Sequence, residues 1–188
     1  MPAYRRQLLA FVAIAALAAP AAGLAQMGMT DPMVGGAAMY PTKTIVENAV
    51  NSKDHTTLVA AVKAAGLVDT LEGPGPFTVF APTNEAFAAL PPGTVDALLK
   101  PENLDQLKQV LTYHVVAGRY TASDLKRLIR KHGGRASLKT VEGEPLTVSM
   151  AGGRLWVTDA KGGRAEVTIG NVIQSNGVIH VVNRVLMP

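Results

Sequence analysis

One stretch constrains the fold of this chain more than any other: Gly75–Leu90, which reads GPFTVFAPTNEAFAAL. Its apolar run from Phe77 to Phe80 is typical of a strand that is buried on both faces. Pro82 ends that strand, because proline has no N–H group to donate to a sheet. Thr83 follows as a helix N-cap, and apolar residues then recur at helical spacing. The stretch therefore predicts a buried strand that runs directly into a capped helix.

The N-terminus has the three features of a secretory signal peptide. Arg5 and Arg6 precede an unbroken apolar run, Leu8–Ala19, which is shorter than the roughly 20 residues that a membrane-spanning helix needs. Small residues follow at Gly23–Ala25, where a signal peptidase would cut. We predict a signal peptide over residues 1–25 and an exported protein, periplasmic or extracellular, with a retained N-terminal anchor as the alternative. We expect no transmembrane segment after cleavage.

The composition excludes several classes of protein. The chain has 188 residues and no cysteine, which excludes both disulfide bonds and an anchor on a lipid-modified cysteine. Its stability must come from a hydrophobic core, and its length suits a single domain. The formal net charge of +4 includes both arginines of the signal peptide, so the remainder is close to neutral. Such a chain is not built as a whole for nucleic acid or anionic membranes.

Residues 26–42, QMGMTDPMVGGAAMYPT, are rich in methionine. Glycines and prolines interrupt any periodicity, so we predict a flexible or loosely docked arm. The spacing of Met27 and Met29 would suit a soft site for Cu(I), which prefers thioether ligands. The alternative is a tail whose methionines pack on the domain surface, because no His or Cys accompanies them as a stronger ligand.

From Thr44 onward, apolar residues recur at helical spacing. Thr44 and Glu47 have the spacing of a capping box, and Asp54 is placed to cap a second helix that ends at Gly66. Further helical segments are predicted over residues 67–71, 94–99, 104–113 and, after a cap at Thr121 or Ser123, up to Gly133.

The C-terminal part alternates apolar and polar residues with period two, which is typical of strands. Such strands are predicted around Leu146–Met150, Leu155–Val157 and Val167–Ile173. Trp156 lies on the face opposite to its apolar neighbours and could stack on a sugar ring; half-buried packing is the alternative. The final segment, VIHVVNRVLMP, follows an Asn-Gly turn and is apolar on both faces, so it predicts a central strand.

Tyr113 and His114 are the first side chains with chemistry to weigh. His114 could be the general base of a hydrolase or a metal ligand. The alternative is a histidine whose ring bonds to the backbone at a helix-to-strand corner, since no carboxylate or nucleophile lies nearby in sequence. His180 lies among valines, and we expect it to be a hydrogen-bonded core residue.

The segment between Asp124 and Glu142 carries the one strong local charge bias, because it contains Lys and Arg residues and no acid. It could bind acidic glycans or anionic lipid head groups. The alternative is a solvated helix face whose late cations complement the helix dipole. The lack of interleaved aromatic side chains argues against nucleic acid. The candidate interaction residues are Tyr113, His114, Lys126, Arg127, Arg130, Lys131 and Arg135.

Two segments resemble the signature boxes of the fasciclin (FAS1) domain family. GPFTVFAPTNEAF (75–87) looks like the first box, and NGVIHVVNRVLMP (176–188) looks like the second. TYHVVAG (112–118) resembles the central Tyr-His motif, and TLVAAVKAAGL (57–67) matches the usual lead-in. The family core motif falls on Phe77, Phe80, Pro82, Thr83, Phe87, Asn176, Gly177 and His180.

The resemblance implies an α+β fold: a FAS1-like, wedge-shaped β-sandwich with a packed layer of helices, spanning residues 43–188. Both boxes should be adjacent in its core. The second box usually has Asp where this chain has Asn183, which removes a buried carboxylate partner. In animal members the Tyr-His region is linked to integrin binding, but a bacterial-type signal peptide does not fit an integrin as the natural partner.

The resemblance also implies a secreted or periplasmic adhesion module that is not an enzyme and has no cofactor. Its partner would be a protein or a cell-surface or matrix component, such as an acidic glycan or an anionic lipid surface. Consistent with this, the chain has no G-x-S-x-G, H-E-x-x-H or phosphate-loop motif, and its histidines lack metal-ligand spacing. A hydrolase using His114 and a metal or small-ligand carrier using the methionine arm are the alternatives.

Overall fold

The computed structural model of the protein describes residues 31–188. Its helices are α1 (Ile45–Ala49), α2 (Thr56–Ala64), α3 (Val68–Glu72), α4 (Asn84–Ala88), α5 (Thr94–Leu98), α6 (Leu104–Tyr113) and α7 (Ala122–Lys131). Its strands are β1 (Met33–Val34), β2 (Ala37–Ala38), β3 (Phe77–Pro82), β4 (Val115–Ala117), β5 (Arg135–Lys139), β6 (Pro145–Ala151), β7 (Arg154–Thr158), β8 (Arg164–Gln174) and β9 (Gly177–Val182). None of these helices is long and apolar enough to cross a membrane.

Seven strands form one sheet in the order β4-β3-β9-β8-β7-β6-β5. Neighbouring strands are antiparallel except β3 and β9, which are parallel, with Phe77 opposite Gly177. A bridge between Val116 and Thr140 joins the two ends of the sheet. The sheet therefore curls into a nearly closed, wedge-shaped barrel. The predicted α+β fold is confirmed, and the two signature boxes are adjacent core strands.

The β3–α4 unit has the structure that its sequence predicts. Every residue of β3 after Phe77 is buried, because the strand lies between β4 and β9. The Thr83 hydroxyl then accepts the Ala86 N–H (3.3 Å) and caps α4. Gly177 begins β9 close to this strand, where a Cβ would overlap the Phe77 carbonyl oxygen. The glycine of the second box is thus required by the close approach of the two strands.

Two hydrophobic clusters lie on opposite faces of the sheet. Val79 and Ala81 of β3 face the helices, whereas Phe80, between them, faces the barrel interior. The first cluster includes side chains from each of α1–α6. The second is covered by α7, which contributes Leu125 and Ile129. This packing orients the remaining sides of α7 toward solvent.

Of the helix caps assigned from sequence, those at Thr44, Thr83 and Thr121 are confirmed, and the one at Asp54 is wrong. Thr44 and Glu47 form the predicted capping box of α1, with distances of 3.3 and 2.7 Å. Asp54 does not cap α2, because it lies within a 3-10 turn that precedes the helix. The amide oxygen of Asn84 in α4 accepts the Thr57 N–H instead (3.1 Å). A side chain distant in sequence therefore accepts a hydrogen bond from a free backbone N–H in the first turn of α2.

Residues 31–42, part of the arm predicted over residues 26–42 as flexible or loosely docked, lie against the domain. β1 and β2 form a hairpin that places Val34 and Met39 in the core, 3% and 2% exposed. The side-chain amide of Asn48 in α1 holds the backbone of Tyr40, just after the hairpin. Its oxygen accepts the Tyr40 N–H (3.1 Å), and its nitrogen donates to the Tyr40 carbonyl (2.8 Å). Residues 1–30 lie outside the described residues, so the signal peptide stays a prediction.

The C-terminal strands differ from their sequence prediction at two places. β5 was not predicted, because Ala136 and Leu138 are its only inward apolar residues. The final strand was predicted to extend to residue 188 but ends at Val182. Val185 and Leu186 are buried beyond the strand, so their apolar character reflects core packing rather than continued pairing.

Candidate interaction surface

Tyr113 ends α6 with its side chain fully buried in the barrel interior. Its hydroxyl donates to the Pro145 carbonyl (3.1 Å) and accepts from the Ala160 N–H (2.9 Å). Burial raises the pKa of the Tyr113 phenol above its ordinary value. The residue therefore joins α6 to two segments around β6 and β7, and it is neutral at physiological pH.

His114 caps the C-terminus of α6 and is 2% exposed. Its Nδ1 lies 2.7 Å from the Val110 carbonyl oxygen, and its Nε2 lies 3.0 Å from the Leu186 backbone nitrogen. A carbonyl only accepts and a backbone N–H only donates, so Nδ1 carries the proton and Nε2 is the acceptor. Burial lowers the pKa of His114 to about 4, against smaller opposing effects of the Val110 carbonyl and Asp159. The ring is therefore neutral at pH 7.

This geometry corrects the assignment of Tyr113 and His114 as candidate interaction residues, because neither side chain reaches the surface. It also gives no support to a hydrolase, since a general base needs a ring nitrogen that can reach a substrate proton. The His114 ring borders an apolar cavity of about 60 Å³. Thr112 also lines this cavity, but its hydroxyl already donates to the Lys108 carbonyl (2.7 Å).

Asn176, predicted as a turn residue and as a member of the family core motif, clamps three backbone groups together. Its Oδ1 accepts the Ile45 N–H (3.1 Å), and its Nδ2 donates to the carbonyls of Leu71 (2.7 Å) and Gly73 (3.1 Å). The amide thereby holds α1 and the end of α3 against the start of β9. No local sequence pattern shows this role, because the partners are more than 100 residues away.

The other residues of the family core motif also lie in the interior around β3 and β9. The His180 ring is fully buried and stacks on Phe80, with centroids 5.7 Å apart. Its Nε2 lies 2.8 Å from the Tyr120 carbonyl oxygen, and burial lowers the pKa of this histidine. The remaining members stabilise the β3–α4 unit: Phe77, Pro82, Thr83 and Phe87.

The basic residues of α7 lie on its solvent side. Thr121 and Asp124 form a capping box, which starts the helix where the sequence predicts it. Because Leu125 and Ile129 face the core, the cations of the helix are exposed. One of them is paired, since Arg127 contacts the Asp124 carboxylate at 2.6 Å. The exposed cations are Lys126, Arg127, Arg130 and Lys131.

β5, the last strand in the order of the sheet, carries further exposed cations. Burial alternates along β5, so Arg135 and Lys139 are exposed while Ala136 and Leu138 face the barrel. Within residues 31–188, Arg127 is the only cation of this segment with an acidic partner. We call the six cations together the basic segment: Lys126, Arg127, Arg130, Lys131, Arg135 and Lys139.

Residues 31–188 contain no group of three or more His, Cys, Asp or Glu side chains that could hold a metal ion. The two described methionines of the N-terminal arm differ in environment. Met39 is 2% exposed and Met33 is 58% exposed, so one thioether is in the core and the other in solvent. Met27 and Met29, the pair considered for Cu(I), lie outside the described residues.

A groove of about 350 Å³ on the outer face of the sheet gathers side chains that are distant in sequence. Trp156 lines it from β7 and is half-buried. Period-two alternation predicted that Trp156 faces away from its apolar neighbours, but not which residues surround it. The other polar members come from β8 and from the segment after β9: Arg164, Asn183 and Arg184.

Comparison with known proteins decides the family. The profile of the fasciclin domain matches residues 53–188 of this chain. The chain belongs to the fasciclin domain family. Protein sll1483 of Synechocystis is 46% identical over 97% of this chain and 96% of its own length. The cell surface glycolipoprotein MPB83 of Mycobacterium bovis is 37% identical over 94% of this chain and 78% of its own length.

A solved structure shows the same fold as this fasciclin domain. The FAS1 domain pair of the insect cell adhesion molecule Fasciclin I superposes with a TM-score of 0.70. The match covers 78% of this chain and 51% of that chain, at 20% sequence identity. At that identity the likeness establishes the architecture alone.

Proposed function

We propose that this fasciclin protein is an exported, non-catalytic interaction module that binds acidic glycans through its basic segment. The observation that carries the proposal is the unbalanced charge of that segment. Its cations are exposed, and all but Arg127 lack an acidic partner within residues 31–188. Clustered cations of this kind attract polyanions and hold them at low ionic strength.

Two further observations support a role outside the cytoplasm. The N-terminal sequence has the charge, apolar run and small-residue exit of a signal peptide. Among proteins similar to this chain, one is named a cell surface glycolipoprotein and another a cell adhesion molecule. An adhesion or matrix-binding role at the cell surface fits both observations.

The chemistry of α7 favours a glycan over a lipid surface. A helix that binds a membrane inserts an apolar face, but the apolar face of α7 is occupied by core packing at Leu125 and Ile129. None of the large exposed hydrophobic side chains in residues 31–188 lies on α7; they are Met33, Tyr40, Val50 and Val141. An acidic polysaccharide requires only spaced cations, and arginine binds carboxylate or sulfate groups through paired hydrogen bonds.

Binding of the purified protein to immobilised heparin tests the proposal. Replacing Lys126, Arg130 and Lys131 with Gln should weaken binding about tenfold at about 50 mM salt, since each exposed contact contributes roughly 0.5 kcal/mol. The matched control removes the same charge from exposed lysines elsewhere and should change binding less than about twofold. The control positions are Lys63, Lys100 and Lys108.

Three results would contradict the proposal. The first is that the unmodified protein does not bind heparin, and the second is that both triple variants lose the same affinity. The third is that vesicles of anionic phospholipid bind more tightly than heparin at the same salt concentration.

A further inference from the structure

The groove beside Trp156, here the Trp156 groove, has the size of a small-molecule site. Its volume of about 350 Å³ falls within the range of such pockets, roughly 300–1,000 Å³. One wall is formed by the end of α4 and the residues just after it. The floor is the outer face of β7 and β8, and the far wall is formed by the residues just after β9. Six residues give the groove its chemistry: Leu90, Pro91, Trp156, Arg164, Asn183 and Arg184.

Arg164 is held over the aromatic floor of the groove. Its guanidinium carbon lies 4.8 Å from the centroid of the Trp156 ring, a cation–π contact. The indole is itself positioned, because its Nε1 donates to the Ala151 carbonyl (3.3 Å). A guanidinium resting on a ring retains its N–H donors for an incoming acceptor. The contact thus orders a donor group before any ligand arrives, which reduces the entropy lost on binding.

The charge of the groove is unbalanced. Among residues 31–188, neither Arg164 nor Arg184 forms an ion pair. The acid nearest in the strand register is Glu166, which lies opposite Trp156. Its carboxylate is already bound by Arg154, at 2.9 and 3.2 Å. Two arginines therefore face the groove without a neutralising acid, and an anionic ligand would supply one.

Asn183 is exposed, so the expectation of a buried side chain at this position is wrong. Its amide adds neutral donors to the groove, where a carboxylate would have added negative charge. Its Oδ1 accepts the Glu166 backbone N–H (2.9 Å), which fixes the orientation of the amide. The amide nitrogen, a double donor, is on the other side of the group. An aspartate here could accept the same hydrogen bond but would repel an anion.

The remaining wall is apolar, which favours a ligand with an apolar face over a simple inorganic anion. Leu90 and Pro91 line the groove together with the half-buried indole of Trp156. Apolar side chains such as those of Leu90 and Pro91 pack against the C–H face of a pyranose ring, whereas sulfate or phosphate alone has no such face. The ligand should therefore combine a sugar ring, hydroxyl groups and a carboxylate.

We infer that the Trp156 groove binds a uronic acid unit of an acidic polysaccharide. Its carboxylate binds Arg164 and Arg184, its hydroxyls accept from the Asn183 amide, and its ring packs on the apolar wall. The inference rests on the proposed function for the class of polymer, but it uses residues separate from the basic segment. The basic segment supplies long-range attraction, and the groove supplies selectivity for a carboxylated sugar.

Calorimetry with trigalacturonate and with neutral galactotriose tests the inference on the purified protein. Trigalacturonate should bind at least about tenfold more tightly, and Arg184→Gln should remove most of that preference. Asn183→Asp should do the same while preserving the hydrogen bond from Glu166, so the fold is retained. Arg119→Gln removes an exposed charge elsewhere in the chain and should leave the affinity unchanged.

Equal affinity for the two trisaccharides would overturn the inference, as would unchanged trigalacturonate affinity in both groove variants. The triple variant of Lys126, Arg130 and Lys131 separates this result from the proposed function. It should retain trigalacturonate binding and bind heparin about tenfold more weakly. If it keeps heparin binding while Arg184→Gln loses trigalacturonate, only the role proposed for the basic segment fails.

Discussion

Asn176 and His114 satisfy backbone groups that no helix or strand satisfies. Asn176 bonds to Ile45, Leu71 and Gly73, and His114 bonds to Val110 and Leu186. Both side chains are buried, so a partner left unbonded would lose its hydrogen bond without gaining one to water. At the scale of residues, the polar side chains Asn176 and His114 of the family motifs therefore stabilise the core.

Asn176→Ala should lower the free energy of unfolding by about 2–4 kcal/mol, because it leaves an N–H and two carbonyls without their partner. Urea denaturation measures the change. Asn51→Ala is the control: Asn51 is exposed and bonds only to the Glu47 carbonyl (2.8 Å), so the loss should stay below about 1 kcal/mol. Equal losses in the two variants would contradict the clamp.

His114→Ala should lower the free energy of unfolding by about 3–5 kcal/mol, through a cavity and two unsatisfied backbone groups. The same replacement at His132, which is exposed, should change stability by less than about 0.5 kcal/mol. Both values come from chemical denaturation at pH 7. If His114→Ala were as stable as His132→Ala, the ring could not be a core residue.

At the scale of elements, the β1–β2 hairpin shows how a segment without periodicity becomes part of the domain. Only two apolar side chains, Val34 and Met39, enter the core, and their spacing fits neither helix nor strand. Asn48 of α1 then bonds to both backbone groups of Tyr40. These contacts hold the hairpin, and none of them is visible in its own local sequence. Its glycines and the spacing of its methionines therefore predicted an arm.

Met39→Ala should destabilise the protein by about 2–4 kcal/mol, the range for truncating a buried methionine. Met33→Ala, on the same hairpin, should cost less than about 0.5 kcal/mol because its side chain is 58% exposed. Denaturation midpoints of the two variants give the comparison. A flexible arm would instead make both substitutions neutral, and that result would contradict the docked hairpin.

At the scale of the whole molecule, three buried histidines make stability depend on pH. Burial lowers the pKa of His55, His114 and His180, and it lowers that of His114 to about 4. Because each pKa is higher in the unfolded chain, the unfolded chain binds more protons below the ordinary value near 6.5. Their contribution to stability is therefore complete above pH 6.5 and is lost as the pH falls through the folded values.

The free energy of unfolding should fall by roughly 3 kcal/mol between pH 6.5 and 4 from His114 alone, with His55 and His180 acting in the same direction. Urea denaturation at a series of pH values measures the profile. His114→Ala should have a shallower profile over this range. A flat profile for the unmodified protein would show that these histidines are not buried in the folded state.

Features of the fold that depend on neighbours within about four residues could be predicted from sequence alone. The Thr83 cap, the capping box of Thr44 and Glu47, and the core-facing side of α7 are examples. Each depends on a hydrogen bond or an apolar spacing inside one helical turn. The family resemblance then placed these units in the fasciclin fold, and the exposed cations of α7 followed from the same helical periodicity.

Other features were decided only by tertiary structure, because they depend on which distant segments meet. The Asn84 cap of α2, the Asn176 clamp and the docking of Met39 all join elements whose pairing no local pattern specifies. The groove proposed as a sugar site is a further case, since Arg164 comes from β8 and Arg184 from the segment after β9. Sequence alone determined the family and the charge of one surface. The folded sheet decided where aromatic, cationic and amide groups meet, because strand register brings them together.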